Sequence, residues 1–142
     1  MLTSLNLLCL RASDPKRLVD FYEKLGLSFR KEKHGSGPVH HACELGGSVF
    51  EIYPLANGQS PTASTRIGFC VPSIDDAIKH FDAGSELLSA PKDTQYGRKV
   101  ILRDPEGHKV ELVEISKGGT VVTPTSAAAL AKQACYPRYG ES

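Results

Sequence analysis

The feature that most constrains this chain is that it repeats itself. Asp14 and Ser73, both residues that cap helix N-termini, lie 59 positions apart. Tyr22 and Phe81 stand at the same offset in two apolar stripes, and Glu51 and Glu111 stand 60 apart on matching strands. Internal repetition at this length implies two copies of one supersecondary unit. Each copy reads β-α-β-β-β. In the first, Leu5–Leu10 is an apolar run, and Asp14-Pro15 then opens a helix. Its stripe is Leu18, Phe21, Tyr22 and Leu25, and Gly26 closes it. A strand is predicted over 27–33. A hairpin follows, with arms 39–45 and 48–53 joined by Gly46-Gly47. Residues 54–64 (PLANGQSPTAS) have linker chemistry.

The second copy begins with a strand over 66–71. Ser73 caps a helix striped by Ile74, Ala77, Ile78 and Phe81, and Gly84 ends it. A short strand is predicted over 86–89 and a loop over 91–97. The copy closes on GRKVILRDPEGHKVELVE (97–114). There Asp104-Pro105-Glu106-Gly107 has the residue preferences of a type I turn between two strands. Lys109–Glu114 alternates strictly, placing Val110 and Leu112 on one face and Glu111 on the other. Modules are therefore expected at 3–54 and 65–116, joined by a linker at 55–64. A tail follows at 117–142, with helix propensity near 126–134.

Parity sorts the strands into two faces. Leu8, Leu10, Phe50, Ile52, Ile67, Phe69, Val71, Val110 and Leu112 make an apolar face for the helices. The opposite face carries Leu7, Cys9 and Arg11; Val49, Glu51 and Tyr53; Arg66, Gly68 and Cys70; and Lys109, Glu111 and Val113. Of the adjacent pair His40 and His41, one must join that mixed face, and the pattern does not say which. Tyr53 and Tyr96 offer aromatic contact to a ligand. His80 and His108 read as surface residues.

Composition narrows the function classes. With 142 residues, 40% hydrophobic, 23% charged and a net charge of +1, the chain has no basic patch for nucleic acid. It has no apolar run long enough for a membrane span, and the opening MLTSLNLLCLRASDP, without a basic n-region, is not expected to be a signal peptide. The four cysteines (Cys9, Cys43, Cys70, Cys135) are scattered without a CxxC pair, so reduced thiols in a cytoplasmic protein are expected. No GxGxxG, phosphate loop or GxSxG is present.

LRASDPKRLVDFYEKLG (10–26), YGRKVILRDPEGHKVELVE (96–114) and the duplication together resemble the vicinal oxygen chelate superfamily. This superfamily holds glyoxalase I, bleomycin-resistance proteins, fosfomycin-resistance enzymes and extradiol dioxygenases. The resemblance covers residues 3–116. It implies an α+β fold of two tandem β-α-β-β-β modules, curved as half-barrels from mixed sheet, with helices outside and the mixed faces lining a cleft. It also implies four metal-ligand positions, which fall on Leu7, Glu51, Arg66 and Glu111. Leu7 has no donor atom, and Arg66 stays protonated and cannot coordinate a cation. No metal and no other cofactor is therefore expected, although a divalent ion would suit the family. Arg66 is expected to replace the cation, pairing with Glu111 and with Glu51. The function this implies is binding of a small organic molecule in the cleft, with Arg11, His40, His41, Tyr53, Arg66 and Tyr96 as ligand-binding residues. The alternative is a lyase, isomerase or dioxygenase-type enzyme with Glu51 or Glu111 as catalytic base and a metal or Arg66 as electrophile. A structural or partner-binding module with a filled cleft is a third reading. Relatives of this kind often form homodimers.

Overall fold

The computed structural model describes residues 3–62, 64–95 and 97–114. The 117–142 tail and Tyr96 lie outside them. The elements run β1 (Leu7–Ala12), α1 (Pro15–Glu23), β2 (Arg30–Glu32), β3 (His40–Leu45), β4 (Ser48–Pro54), β5 (Arg66–Val71), α2 (Ile74–Ile78), β6 (Lys92–Thr94), β7 (Gly97–Arg103) and β8 (Lys109–Glu114). They build two four-stranded sheets of identical pattern, β1-β4-β3-β2 and β5-β8-β7-β6. This is the expected duplication. The chain divides into two compact units, the first reaching Arg66 and also taking in Arg103–Lys109.

In the first unit β1 runs parallel to β4, while β3 is antiparallel to both β4 and β2. β1 begins at Leu7 and not Leu5, because its partner β4 begins at Ser48 and Leu7 pairs with Val49. β2 is likewise short, since β3 offers it only His40, His41 and Ala42. Gly46 and Gly47 both have positive φ (58° and 84°), which a two-residue hairpin matched to strand twist requires. α1 starts where its sequence says. Asp14 Oδ1 accepts from the Arg17 N–H at 3.1 Å, and Pro15 takes the first turn. Leu18, Phe21 and Tyr22 are buried against Leu10, Phe50 and Ile52 in an apolar core. Tyr22 meets Phe50 edge to face, with ring centroids 5.0 Å apart.

The turn after β7 is bolted into this first unit. Asp104, 3% exposed, accepts the Tyr22 hydroxyl at 2.7 Å and His108 Nδ1 at 2.6 Å on Oδ2. Its Oδ1 takes the backbone N–H groups of Glu106 and His108, each at 3.0 Å. His108 Nε2 lies 2.6 Å from Thr62 Oγ1. His108 is therefore not a surface residue: it is fully buried, because the turn folds it back onto Asp104. Glu106 reaches the start of α1, accepting from Ser13 Oγ (2.8 Å) and the Asp14 N–H (2.9 Å). Partial burial would raise its carboxyl, but the Asp14 and Ser13 donors prevail and hold it below the usual range.

In the second unit, Ser73 Oγ accepts the Asp76 N–H at 3.2 Å. Glu114 accepts the Ile74 N–H at 2.9 Å. The strand expected at 86–89 does not form. Leu87 makes only isolated bridges, to Ala83 and Leu102. The edge strand is instead β6, where a loop was expected. Lys92, Asp93 and Thr94 pair back onto Lys99, Arg98 and Gly97. The positive φ of Gly97 (106°) and the Thr94 hydroxyl on the Gly97 carbonyl (2.7 Å) close that turn. β8 also departs from simple alternation. Val110, Glu111, Leu112 and Val113 are all buried, because β8 is an interior strand between β5 and β7. Cys70 is disulfide-bonded, against the expectation of four reduced thiols, while Cys9 and Cys43 are free. Among the described residues no helix is long and apolar enough to cross a membrane.

Replacing Tyr22 with Phe leaves the buried Asp104 carboxylate one donor short and should destabilise the protein by about 1–3 kcal/mol in chemical denaturation. Glu106 has a depressed folded pKa, so its contact stabilises above the ordinary glutamate pKa and is lost as pH falls through the folded value. Glu106→Gln should cost about 1 kcal/mol at neutral pH. It should cost progressively less under acid, as read by unfolding curves across that range.

Candidate ligand-binding site

Strand register assembles one row of chemistry across the mixed face of the first sheet. Arg11 on β1 stands beside Tyr53 on β4. Tyr53 lies across from His40 on β3, next to the His41–Ile52 pair. His40 in turn pairs with Glu32 on β2. The Arg11 guanidinium sits 4.7 Å from the Tyr53 ring centroid. Tyr53 and His40 stack with centroids 4.1 Å apart and planes 6° from parallel. Arg11 spends one Nη1 donor on the Pro54 carbonyl at 3.4 Å, which orients the fork and leaves further N–H groups for a ligand. A second row, Cys9, Glu51, Ala42 and Arg30, runs beside it in the same register. Burial pushes the Cys9 thiol up, Arg11 opposes this, and Glu51 adds to it. That thiol is not a poised nucleophile.

The histidine question is resolved by geometry. His40, 1% exposed, lies on the mixed face. Its Nδ1 is 3.3 Å from the Pro38 carbonyl, and its Nε2 has no hydrogen-bond partner. His41 pairs with the fully buried Ile52 on the other face. Burial, then the Lys31 charge, pushes its imidazole pKa down. His40 therefore stands with Arg11 and Tyr53, and His41 does not.

Glu111 is buried on β8, and Lys99 on β7 donates to its Oε1 at 3.2 Å. Both side chains are largely removed from water, so this is a desolvated ion pair. Lys99 was not among the residues expected beside Glu111. Arg66 opens β5 and is exposed. Glu32 and His34 were also passed over, although Glu32-x-His34 has the strand period that puts both on one side. The Thr62-His108-Asp104 chain has the hydrogen-bond order of a nucleophile, base and acid. His108 is fully buried, however, and Asp104 is saturated by backbone and tyrosine donors, which makes the chain a structural rivet.

A duplicated β-α-β-β-β chain with this mixed face defines a vicinal oxygen chelate protein. The chain belongs to the Glyoxalase/Bleomycin resistance protein/Dioxygenase superfamily, whose model matches residues 4–112. Among curated proteins there is no match. Solved structures share the fold. TnmS3, an antibiotic binding protein from Streptomyces sp. CB03234, is 22% identical with a TM-score of 0.65, over 81% of this chain and 98% of that one. An integron cassette protein from the mobile metagenome of V. cholerae is 25% identical with a TM-score of 0.58, over 79% and 94%. The oxidase ChaP-H2 is 20% identical with a TM-score of 0.62, over 84% and 100%.

The cation implied by the family does not fit the residues at its positions. Leu7 is an aliphatic side chain 46% exposed, Arg66 has no lone pair to give, and Glu111 already holds a lysine. Glu51 alone keeps an oxygen donor without such an engagement. Lys99→Met should leave Glu111 short of its cation and lower stability by about 1–3 kcal/mol. Combining it with Glu111→Gln should recover most of that loss, as measured by thermal and urea unfolding.

Proposed function

We propose that this chain binds a small planar organic anion on the mixed face of its first module, without the family's divalent cation. The observation that carries the reading is the ordered row of guanidinium, phenol and imidazole. Arg11 and Tyr53 are held at 4.7 Å, and Tyr53 and His40 lie parallel at 4.1 Å. Aromatic surfaces already stacked lose little side-chain entropy when a further ring joins them. Arg11, with N–H groups still to give, supplies a charge-assisted fork for a carboxylate or enolate on that ring. Glu51, in the neighbouring row, selects against a second negative group beside the first. A structural neighbour named as an antibiotic binding protein shows that a fold like this one can hold a small organic molecule.

A thermal-shift and calorimetric panel of naphthoate, benzoate and uncharged naphthalene methanol tests this. Naphthoate should bind best. At 100 times its Kd it should add about 2.7 kcal/mol of stability, and Arg11→Ala and Tyr53→Ala should each weaken binding by about tenfold or more. If no member of the panel stabilises the protein, or if both variants bind as the parent does, the reading is wrong.

A further inference from the structure

At the β2 end of the same row the side chains form a second arrangement, with different chemistry. Glu32 Oε2 lies 3.4 Å from His34 Nε2 and 3.7 Å from His40 Nε2. One ligand atom from each of the three residues falls within 4.8 Å of the others, the one such trio among the described residues. Zinc bonded to imidazole nitrogen and carboxylate oxygen at about 2.0–2.2 Å places neighbouring donors roughly 3.3–3.5 Å apart around a tetrahedron. The two carboxylate–imidazole separations sit at or near that edge length.

Each donor is also prepared for a cation. His40 Nδ1 faces the Pro38 carbonyl at 3.3 Å. A proton on Nδ1 satisfies that carbonyl and leaves the Nε2 lone pair directed at the trio. This is the tautomer that a backbone carbonyl imposes on metal-bound histidine. His40 is 1% exposed and its Nε2 has no hydrogen-bond partner, which is a costly state for a buried polar atom unless something else satisfies it. Glu32 is oriented from the other side. Arg30 donates to Oε1 through Nε (3.3 Å) and Nη2 (3.2 Å), so Oε2 remains for the two imidazoles. His34 comes from the turn after β2 with its ring 5.1 Å from that of His40, and its side chain is 73% exposed. The set is two imidazoles and one carboxylate with one side open to water, the donor chemistry of a borderline-soft divalent ion.

We propose that Glu32, His34 and His40 form a zinc site with an open fourth position, separate from the positions where the family holds its cation. The site does not depend on the organic-anion reading. It shares His40 with that row, and its occupant would present a water or ligand atom beside Tyr53.

The test is calorimetry of the full chain with zinc chloride, followed by cobalt substitution and zinc-edge X-ray absorption. The parent should bind one zinc per chain. The cobalt form should show the visible bands of four-coordinate geometry, and the absorption edge should report two imidazoles. His34→Ala, at an exposed position, should keep the fold and weaken zinc by about tenfold or more, and Glu32→Gln should do the same. Arg11→Ala should leave zinc affinity unchanged while weakening naphthoate, which separates failure of this site from failure of the other. No saturable binding by the parent overturns the proposal. So does binding that both Glu32→Gln and His34→Ala retain, or an edge spectrum with sulfur ligands.

Discussion

Parallel pairing of β1 with β4 governs everything that the first module presents. A parallel neighbour requires a crossover, and α1 supplies it, so the apolar stripe of α1 must cover one face of the sheet. Once Leu10 and Ile52 face the helix, parity sends Arg11 and Tyr53 to the other side, in register. The Gly46-Gly47 hairpin then sets β3 against β4, and β2 against β3 follows. Arg11, Tyr53, His40 and Glu32 come from four strands and from positions 11 to 53, yet one register aligns them. A slip of one residue in β3 would exchange His40 for His41 and remove the row.

The second requirement is a buried carboxylate with every oxygen satisfied. Asp104 collects the Tyr22 hydroxyl, the His108 ring and two backbone N–H groups. A desolvated aspartate tolerates that position only with such company. Tyr22 brings the helix to it, and Glu106 from the same turn caps that helix. A short turn far along the chain thereby locks α1, whose position in turn fixes the sheet beneath. Burial, reinforced by the nearby Asp104 charge, drives the Tyr22 phenol far above its ordinary range, so it remains a donor at any physiological pH.

Much of this was legible in the residues. Caps at Asp14 and Ser73, the Leu18, Phe21 and Tyr22 stripe of the first helix, the diglycine hairpin and the alternation in β4 and β5 are local signals, and each matches the structure; the second helix stops at Ile78, short of the Phe81 and Gly84 expected to complete and end it. The misreadings share a cause, which is that the partner a segment or side chain finds, and not its own pattern, decides the outcome. Leu5 lacks a strand opposite it, 86–89 has only isolated bridges, and 92–94 pairs because Gly97 allows a tight return. His108 looked like a surface residue because a place beside a turn does not announce that the turn will fold it back onto Asp104. Lys99 and the Glu32, His34 and His40 trio were passed over for the same reason. Their meaning lies in cross-strand neighbours, and period-two alternation alone does not name those. The family's cation positions show the converse. Leu7 and Arg66 can be judged from chemistry alone, because no geometry gives a leucine or a guanidinium a lone pair.

The account stands on one claim: the stacked Arg11, Tyr53 and His40 face is where a ligand lies. Proton–proton Overhauser contacts between bound naphthoate and the protein side chains measure this most directly. The account predicts contacts from the naphthalene protons to the Tyr53 ring and the Arg11 methylenes, all from one side of the first sheet. Contacts confined to residues outside that row, with Tyr53 and Arg11 silent, would contradict it.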